Sequence, residues 1–424
     1  MLDIRFIREN PDKVKWAAQV KRIECDVDRL LEIDSQLKQI KQDLQDIQTA
    51  KNAAGKQIAK APAEDKKRLI DEMSELKKRE KDLTARQEEL APEFDRLMLR
   101  VPQIPAEDVP LGKDDTENVE LRRVGQVREF DFEPLDHVQL GEKLGLIDVE
   151  RGVKLAGTRS YMLTGAGAML HWAVLRLAMD HMISRGYLPI SPPLLVREEV
   201  MRGTGYFPGG EEQAYACERD GVYLVGTAEV PVTAYHSNEI LDEAALPKKF
   251  VALSSCFRRE AGTYGKDTAG IYRIHQFDKV EQVIVGPADE GRSVAFHDEI
   301  LANAEAVVQA LGMPYRVVAV CTGDLGIGQV KKFDIETWMP SRQAYSETHS
   351  ASRFYEFQAR RLNMRYRDAD GKIHFCHTLN NTVIASPRIL IPLLELYQNA
   401  DGSVTVPQAL RPYMGGMEKI EPRG

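Results

Sequence analysis

Leu30, Ile33, Leu37, Ile40, Leu44 and Ile47 recur at alternating spacings of three and four residues. That spacing gives a helix a narrow apolar seam. A second run follows in Leu69, Met73, Leu76, Leu83, Leu90, Phe94 and Leu97, with Glu80 and Gln87 as polar interruptions. Gly55 and Pro62 lie between the runs, so an antiparallel hairpin in which each arm covers the other's seam is the expected arrangement. Arms of about 30 residues would project roughly 45 Å. The same seam suits an intermolecular dimerisation coil, and the central Gly/Pro break favours the hairpin. Upstream, Asn10-Pro11 sets a cap and a first-turn proline for a short helix running to Arg22.

After residue 100 the pattern changes. From Val101 to about Gly125 the text is proline-rich and polar (VPQIPAEDVPLGKDD) and predicts a linker. Ala168 to Ser184 is a mostly apolar helix ended by Gly186. YLPISPPLLV predicts a strand broken by prolines. Lys249 to Val285 holds two strand-like runs, and Ala288 to Leu311 is helical. Strands and helices do not alternate regularly, which excludes a doubly wound parallel sheet. The expected class is α+β: a helical hairpin domain over residues 1–105, then a domain over 106–424 with a mostly antiparallel sheet flanked by helices.

Composition alters this picture in two ways. The 424 residues carry a net charge of -8, yet residues 1–100 balance 22 Lys and Arg against 21 Asp and Glu. Between Gln48 and Arg68, six basic residues (Lys51, Lys56, Lys60, Lys66, Lys67, Arg68) face only Glu64 and Asp65. A local positive patch therefore sits on an acidic chain, a candidate contact for nucleic-acid phosphates, although a solvated surface would read the same. The five cysteines (Cys25, Cys217, Cys256, Cys321, Cys376) form no CxxC pair. This argues against a thiolate zinc site and fits a reducing compartment. No window is apolar enough for a membrane span, and the charged N-terminus lacks a signal-peptide core. A cytoplasmic protein is expected.

The chemistry concentrates in KFVALSSCFRREAGTYGKDTAGIYRIHQFDKVEQVIV. No P-loop occurs, because Gly265-Lys266 is followed by Asp267, and neither a HIGH nor a KMSKS element is present. Two strand-like runs flank a loop with Gly262, Gly265 and Gly270. Alternation puts Arg258 and Glu260 on one face, with Phe257 and Arg259 on the other. On the returning run Arg273, His275, Phe277, Lys279 and Glu281 share a face. Converging arginines and an aromatic ring suit a nucleoside triphosphate, with guanidinium forks for phosphate and a ring for the base.

FRRE-AG followed by R-x-H-Q-F-x-K-x-E resembles motif 2 of the class II aminoacyl-tRNA synthetases, specifically the seryl-tRNA synthetases. The resemblance runs over essentially the whole chain. Gly186 to Pro193 resembles motif 1, the family's dimer element, and GTAEVP (Gly226 to Pro231) resembles its serine-binding TxE signature. CTGDLG (Cys321 to Gly326) and FQARR (Phe357 to Arg361) are further landmarks, and HTLNNTVIASPRILIPLLELYQ resembles motif 3.

The resemblance implies a serine–tRNA ligase that forms seryl-adenylate from L-serine and ATP and transfers it to tRNA(Ser), and to tRNA(Sec) where present. It implies a homodimer, Mg²⁺ and no zinc. Its catalytic residues would be Arg258, Glu260 and Arg388. Its ATP site would comprise Arg258, Arg259, Glu260, Arg273, Ile274, Phe277, Glu347, Thr348, His349, Ser350 and Arg388. Serine would be held by Thr227, Ala228, Glu229, Arg258, Glu281 and Thr382, Mg²⁺ by Glu347 and Ser350, and tRNA by Lys51, Lys56 and Lys60.

The sequence departs from the family pattern in motif 3, which reads Asn380-Asn381-Thr382-Val383 and Pro387-Arg388, with Pro392 beyond. Ala269 replaces a basic residue common in the motif 2 loop, and His349-Ser350 stands where two serines are usual. His349 fits a packing role better than a ligand role. Two other classes remain: a paralogue loading a carrier protein would have no use for the hairpin, and a non-catalytic scaffold would have lost Arg258, Glu260, Arg388 or Glu347.

Overall fold

The structure, a computed structural model, describes residues 1–262 and 270–422. Ala269 lies outside them. The chain forms two units, Leu2–Pro102 and Gln103–Gly424, the latter also including Met1.

In the first unit Asp3 accepts from Arg5 N at 2.8 Å and opens α1 (Ile4–Glu9). This helix is too short for periodicity to reveal. Next comes α2 (Pro11–Val20), then two long helices, α3 (Val27–Ile58) and α4 (Ala63–Leu99). Asp26 caps α3 by accepting from Arg29 N at 2.9 Å. The long helices pack on each other as an intramolecular hairpin. Leu30, Ile33, Ile40 and Ile47 on α3 and Leu69, Leu90 and Leu97 on α4 are buried. Gly55 does not break the helix as expected. It lies inside α3, where one glycine costs only about 1 kcal/mol. The chain turns after Ile58 instead, and Pro62 is the N-cap residue of α4. Ion pairs brace the base: Arg8 on Asp34 at 2.6 and 2.7 Å, and Arg29 on Glu93 at 3.0 and 2.9 Å.

The second unit is built on an eight-stranded sheet. In chain order its strands are β1 (Val119–Val124), β2 (Leu188–Pro189), β3 (Lys248–Phe257), β4 (Gln276–Gly286), β5 (Tyr315–Ala319), β6 (Lys331–Met339), β7 (Ala344–Tyr355) and β8 (His377–Ser386). Across the sheet they run β1-β5-β6-β7-β8-β4-β3-β2. All pairs are antiparallel except β2 with β3. The expected α+β class with a mostly antiparallel sheet is the class observed.

The expected linker ends earlier than its composition suggests. Gln103 N donates to Ile327 O (2.8 Å) and Ala106 N to Val330 O (3.0 Å), and residues 119–124 form the edge strand β1. Charged side chains on a strand that is exposed along an edge hide it in a composition scan.

Helix α5 (Ala166–Ser184) ends where Gly186 takes φ +82°, and with α6 (Glu290–Ala310) it packs on the central strands. Leu170, Val174, Ile300 and Val307 meet Val251, Val280 and Ile284 in one core. Among the described residues no helix is long and apolar enough to cross a membrane.

Candidate active site

Strands β3 and β4 form the expected hairpin, with Phe277 opposite Cys256 and Glu281 opposite Ala252. Alternation carries Phe277, Lys279 and Glu281 into one cavity, which Arg258, Glu260, Glu347, Thr382 and Arg388 also line. Arg258 is fixed by its backbone, whose N donates to His275 O at 3.0 Å. Its Nε donates to Gly226 O at 3.3 Å, and its guanidinium sits 5.2 Å from the centre of the Phe277 ring.

The strand ends at Phe257, so simple alternation fails just beyond it. Glu260 reaches the cavity by a left-handed turn, φ +54°. Arg273 approaches Glu260 at 3.6 Å and lines the adjoining cavity, together with Arg258. Two expectations are corrected. His275 lies before β4 begins and faces away, edge-on to Tyr215 with ring centres 6.2 Å apart. Arg259 does not line the cavity; its guanidinium sits 5.8 Å from the centre of the Tyr215 ring.

At the cavity's inner end Glu229 is buried. Its Oε1 accepts from Gln358 Nε2 at 2.8 Å and its Oε2 from Tyr206 Oη at 3.2 Å. Burial, reinforced by the charge of Glu281, pushes its carboxyl up to about 7. Glu281 Oε2 lies 2.5 Å from Lys279 Nζ and accepts from Thr382 Oγ1 at 3.4 Å. Two carboxylates therefore face one ammonium, which leaves a place for a second cation. Thr227 and Ala228 are buried behind the wall and do not line the cavity. Thr227 Oγ1 accepts from Glu229 N at 3.1 Å and so positions that carboxylate.

At the other end Arg388 Nη1 donates to Glu347 O at 3.3 Å and lies 3.7 Å from its carboxylate. Tyr272 stacks between Arg342 and Arg388, whose guanidinium carbons lie 3.9 and 4.4 Å from its ring centre. Strict alternation on β7 would put Glu347 and Ser350 on opposite faces. A bulge at this point of the β6–β7 ladder lets Glu347, Thr348, His349 and Ser350 all reach the cavity. Ile274 lines it as well.

Burial opposes ionisation of Glu347, but the charges of Lys332, Arg388, Arg258 and Arg273 hold its carboxyl below the ordinary range. Among the described residues no cluster of three or more His, Cys, Asp or Glu could hold a metal by itself. Glu347 and Ser350 are hard oxygen donors, and they fit a Mg²⁺ that takes its remaining ligands from substrate phosphates and water. Burial pushes His349 down to about 4, keeping it neutral, and its Nδ1 pairs with Thr348 Oγ1 at 2.8 Å.

Sequence reasoning assigned no role to Tyr206, Tyr272, Gln358 or Lys332. Tyr206 stands in the glycine-rich run GTGYFPGG, and that flanking was a legible signal of a tight approach. Gln358 stands in the FQARR landmark and Tyr272 in the motif 2 stretch, while Lys332 carried no signal.

In the helical unit Lys51 pairs with Glu80 at 2.7 Å, while Lys56 and Lys60 are exposed.

Residues 1–105 match the family model of the seryl-tRNA synthetase N-terminal domain, and residues 215–397 match the class II tRNA synthetase core domain (G, H, P, S and T). The serine–tRNA ligase of Deinococcus radiodurans is 49% identical, over 99% of both chains. The chain belongs to the seryl-tRNA synthetase family. The ligase of Thermobifida fusca, another member, is 44% identical over 98% of both chains. The seryl-tRNA synthetase of Pyrococcus horikoshii, crystallised with ATP, superposes with a TM-score of 0.94 at 38% identity, covering 100% of each chain. The cytoplasmic serine–tRNA ligase of Naegleria fowleri, with AMP, gives 0.88 at 32% identity, covering 100% of this chain and 99% of that one. The synthetase family is thus matched along both units, helical hairpin and catalytic core.

Proposed function

We propose that the chain is a cytoplasmic serine–tRNA ligase, with Arg258, Glu260 and Arg388 as its catalytic residues. The observation that carries this reading is the single cavity in which Arg258, Phe277 and Arg388 adjoin the Glu229, Glu281 and Thr382 pocket. Adenine stacks between Phe277 and Arg388, and Glu260 accepts from its amino group. Arg258 holds the α-phosphate, and Arg273 faces the terminal phosphates. Serine's ammonium enters between Glu229 and Glu281, and its hydroxyl meets Thr382.

The serine carboxylate oxygen then attacks the α-phosphorus in line. A new O–P bond forms as the bond to the bridging oxygen breaks, and pyrophosphate leaves. No side chain acts as nucleophile; positioning and charge neutralisation lower the barrier. Glu347 and Ser350 would hold Mg²⁺, which would add to the neutralisation of phosphate charge. The terminal ribose hydroxyl of tRNA(Ser), or of tRNA(Sec) where present, then takes the seryl group and releases AMP.

The active form is a homodimer. Large exposed apolar side chains on α5 and the segment before it, Trp172 at 65% and Leu155 at 74% exposure, support a covered face there. Pyrophosphate exchange measured with each of the twenty amino acids tests the assignment. Serine alone should support it strongly, and equal exchange with alanine would exclude the pocket described.

A further inference from the structure

His171, on α5, is buried, and its partner Asp278 alternates with the cavity-lining Phe277 and Lys279 and so points to the opposite side of the sheet. Its Nδ1 lies 2.8 Å from Ser386 Oγ and its Nε2 3.0 Å from Asp278 Oδ2. Asp278 Oδ1 in turn accepts from Ser255 Oγ at 2.6 Å. Asp278 and Ser386 are direct partners in the β4–β8 ladder, so one imidazole bridges the same row of two strands and ties both to a helix. Burial opposes ionisation of Asp278, yet the hydrogen bonds from His171 and Ser255 hold it below the ordinary carboxylate range. An ionised carboxylate only accepts, so Nε2–H donates to it, and in the neutral ring Nδ1 accepts from the Ser386 hydroxyl.

The position of this bridge matters more than its strength. Asp278 follows Phe277, and Ser386 stands two residues before Arg388. These are the two groups that close on adenine in the reading above. The bridge thus ties together, from behind, the two strands that carry the opposing faces of the base clamp. Neither Asp278, Ser386 nor His171 lines the cavity itself.

We propose that His171 is a positioning residue for ATP, setting through Asp278 and Ser386 the spacing between Phe277 and Arg388. The inference rests on the ATP assignment. A wild-type enzyme without ATP-dependent exchange would remove that assignment, whereas the variants below test the bridge in an active enzyme.

The measurement is serine-dependent pyrophosphate exchange with the full chain, giving separate KM values for ATP and serine. His171→Phe keeps an aromatic of similar size but leaves Asp278 without its main partner. It should raise KM for ATP about tenfold, the scale of one hydrogen bond to a charged group, while KM for serine stays within about twofold. His171→Gln carries one donor and one acceptor and should restore KM for ATP to within about threefold of wild type. Ser386→Ala removes only one arm of the bridge and gives the same selective rise, smaller, should His171→Phe not fold. An unchanged KM for ATP in His171→Phe and Ser386→Ala overturns the proposal. So does a parallel loss of both substrates that His171→Gln fails to reverse, since that marks a role in folding alone.

Discussion

Lys51 Nζ lies 2.7 Å from Glu80 Oε2 across the helical hairpin, and both side chains are largely covered. The pair joins a lysine near the end of one run to a polar interruption in the seam of the other. Its charge is therefore answered within the hairpin, unlike that of exposed Lys56 and Lys60. Lys56→Ala with Lys60→Ala should flatten the salt dependence of tRNA binding by about 0.9 in logarithmic slope for each phosphate that is no longer neutralised. Lys51→Ala should leave the slope nearly unchanged and lower hairpin stability by roughly 0.5–1 kcal/mol. Filter binding across a salt series, with thermal melts of the same variants, separates the two roles. A slope change from Lys51→Ala equal to that of the other two would place its ammonium on phosphate after all.

Arg258 and Arg259 are adjacent in sequence and point apart. Arg258→Ala should reduce exchange by about 10²–10³-fold, the cost of one preorganised charge contact at a transition state. Arg259→Ala, which loses only its place over Tyr215, should stay within about threefold. Equal losses, measured at saturating serine and ATP, would contradict the placement of the two side chains.

How much of this was legible in the sequence depends on how regular the backbone is. On β4 the alternation of Phe277, Lys279 and Glu281 gave the correct face because those residues lie inside an unbroken ladder. His275 was misassigned because the strand begins one residue later. Glu260 reached the predicted side by a left-handed residue that no two-residue period describes. The bulge that brings Glu347 and Ser350 to one cavity has no hydrophobic signature either, and those residues were found only through family resemblance. The seam of the hairpin was legible because burial there repeats with helical period. Gly55 misled because one glycine at an exposed position costs a 32-residue helix only about 1 kcal/mol, too little to end it.

Glu229 gives a pH dependence with a definite sign. Its carboxyl is pushed up to about 7 by burial and by Glu281, from an ordinary 4.5. The stability it contributes is present below its unfolded value and lost as pH rises toward 7. Serine's ammonium requires the ionised form. KM for serine should therefore fall as pH rises from 6, by up to about tenfold per unit, and level off above 7. Glu281→Gln removes the charge that adds to burial and should move the bend to lower pH. Glu229→Gln should give a high KM with no bend. A wild-type profile flat from pH 6 to 8 would falsify the assignment of this group.

Thr382 provides a test of selectivity within the same pocket. Its hydroxyl is 3.4 Å from Glu281 Oε2, and a serine hydroxyl entering there finds polar partners that alanine leaves unpaired. Sites of this kind discriminate by about 10⁴-fold in favourable cases. Thr382→Val keeps the shape and removes the hydroxyl, so the serine-to-alanine ratio of kcat/KM in exchange should drop by about tenfold. An unchanged ratio would assign the discrimination to Glu229 and Glu281 alone.

The two units should be separable in activity, and the hairpin's own ion pairs say where to cut. Arg8–Asp34 and Arg29–Glu93 brace its base, so a deletion that removes residue 34 or 93 would unsettle α1 and α2 as well. Farther out, Arg86 Nη2 lies 3.4 Å from Gln36 Oε1, which puts residues 36 and 86 opposite one another. Deleting residues 38–85 and joining the arms by a short glycine–serine turn there keeps the braces and the buried Leu30, Ile33, Leu90 and Leu97. It removes Lys51, Lys56 and Lys60 with the outer seam. Every residue assigned to adenylate formation, from His171 onward, lies in the second unit. Serine-dependent exchange should therefore stay within about twofold of wild type, while transfer to tRNA falls by at least about 10²-fold, because binding energy from a remote part of the tRNA no longer holds the acceptor in place. Charging that persists at wild-type efficiency would take the outer hairpin out of the mechanism. Exchange that collapses along with charging, in a protein whose melt is unchanged, would show instead that the hairpin acts on adenylation itself.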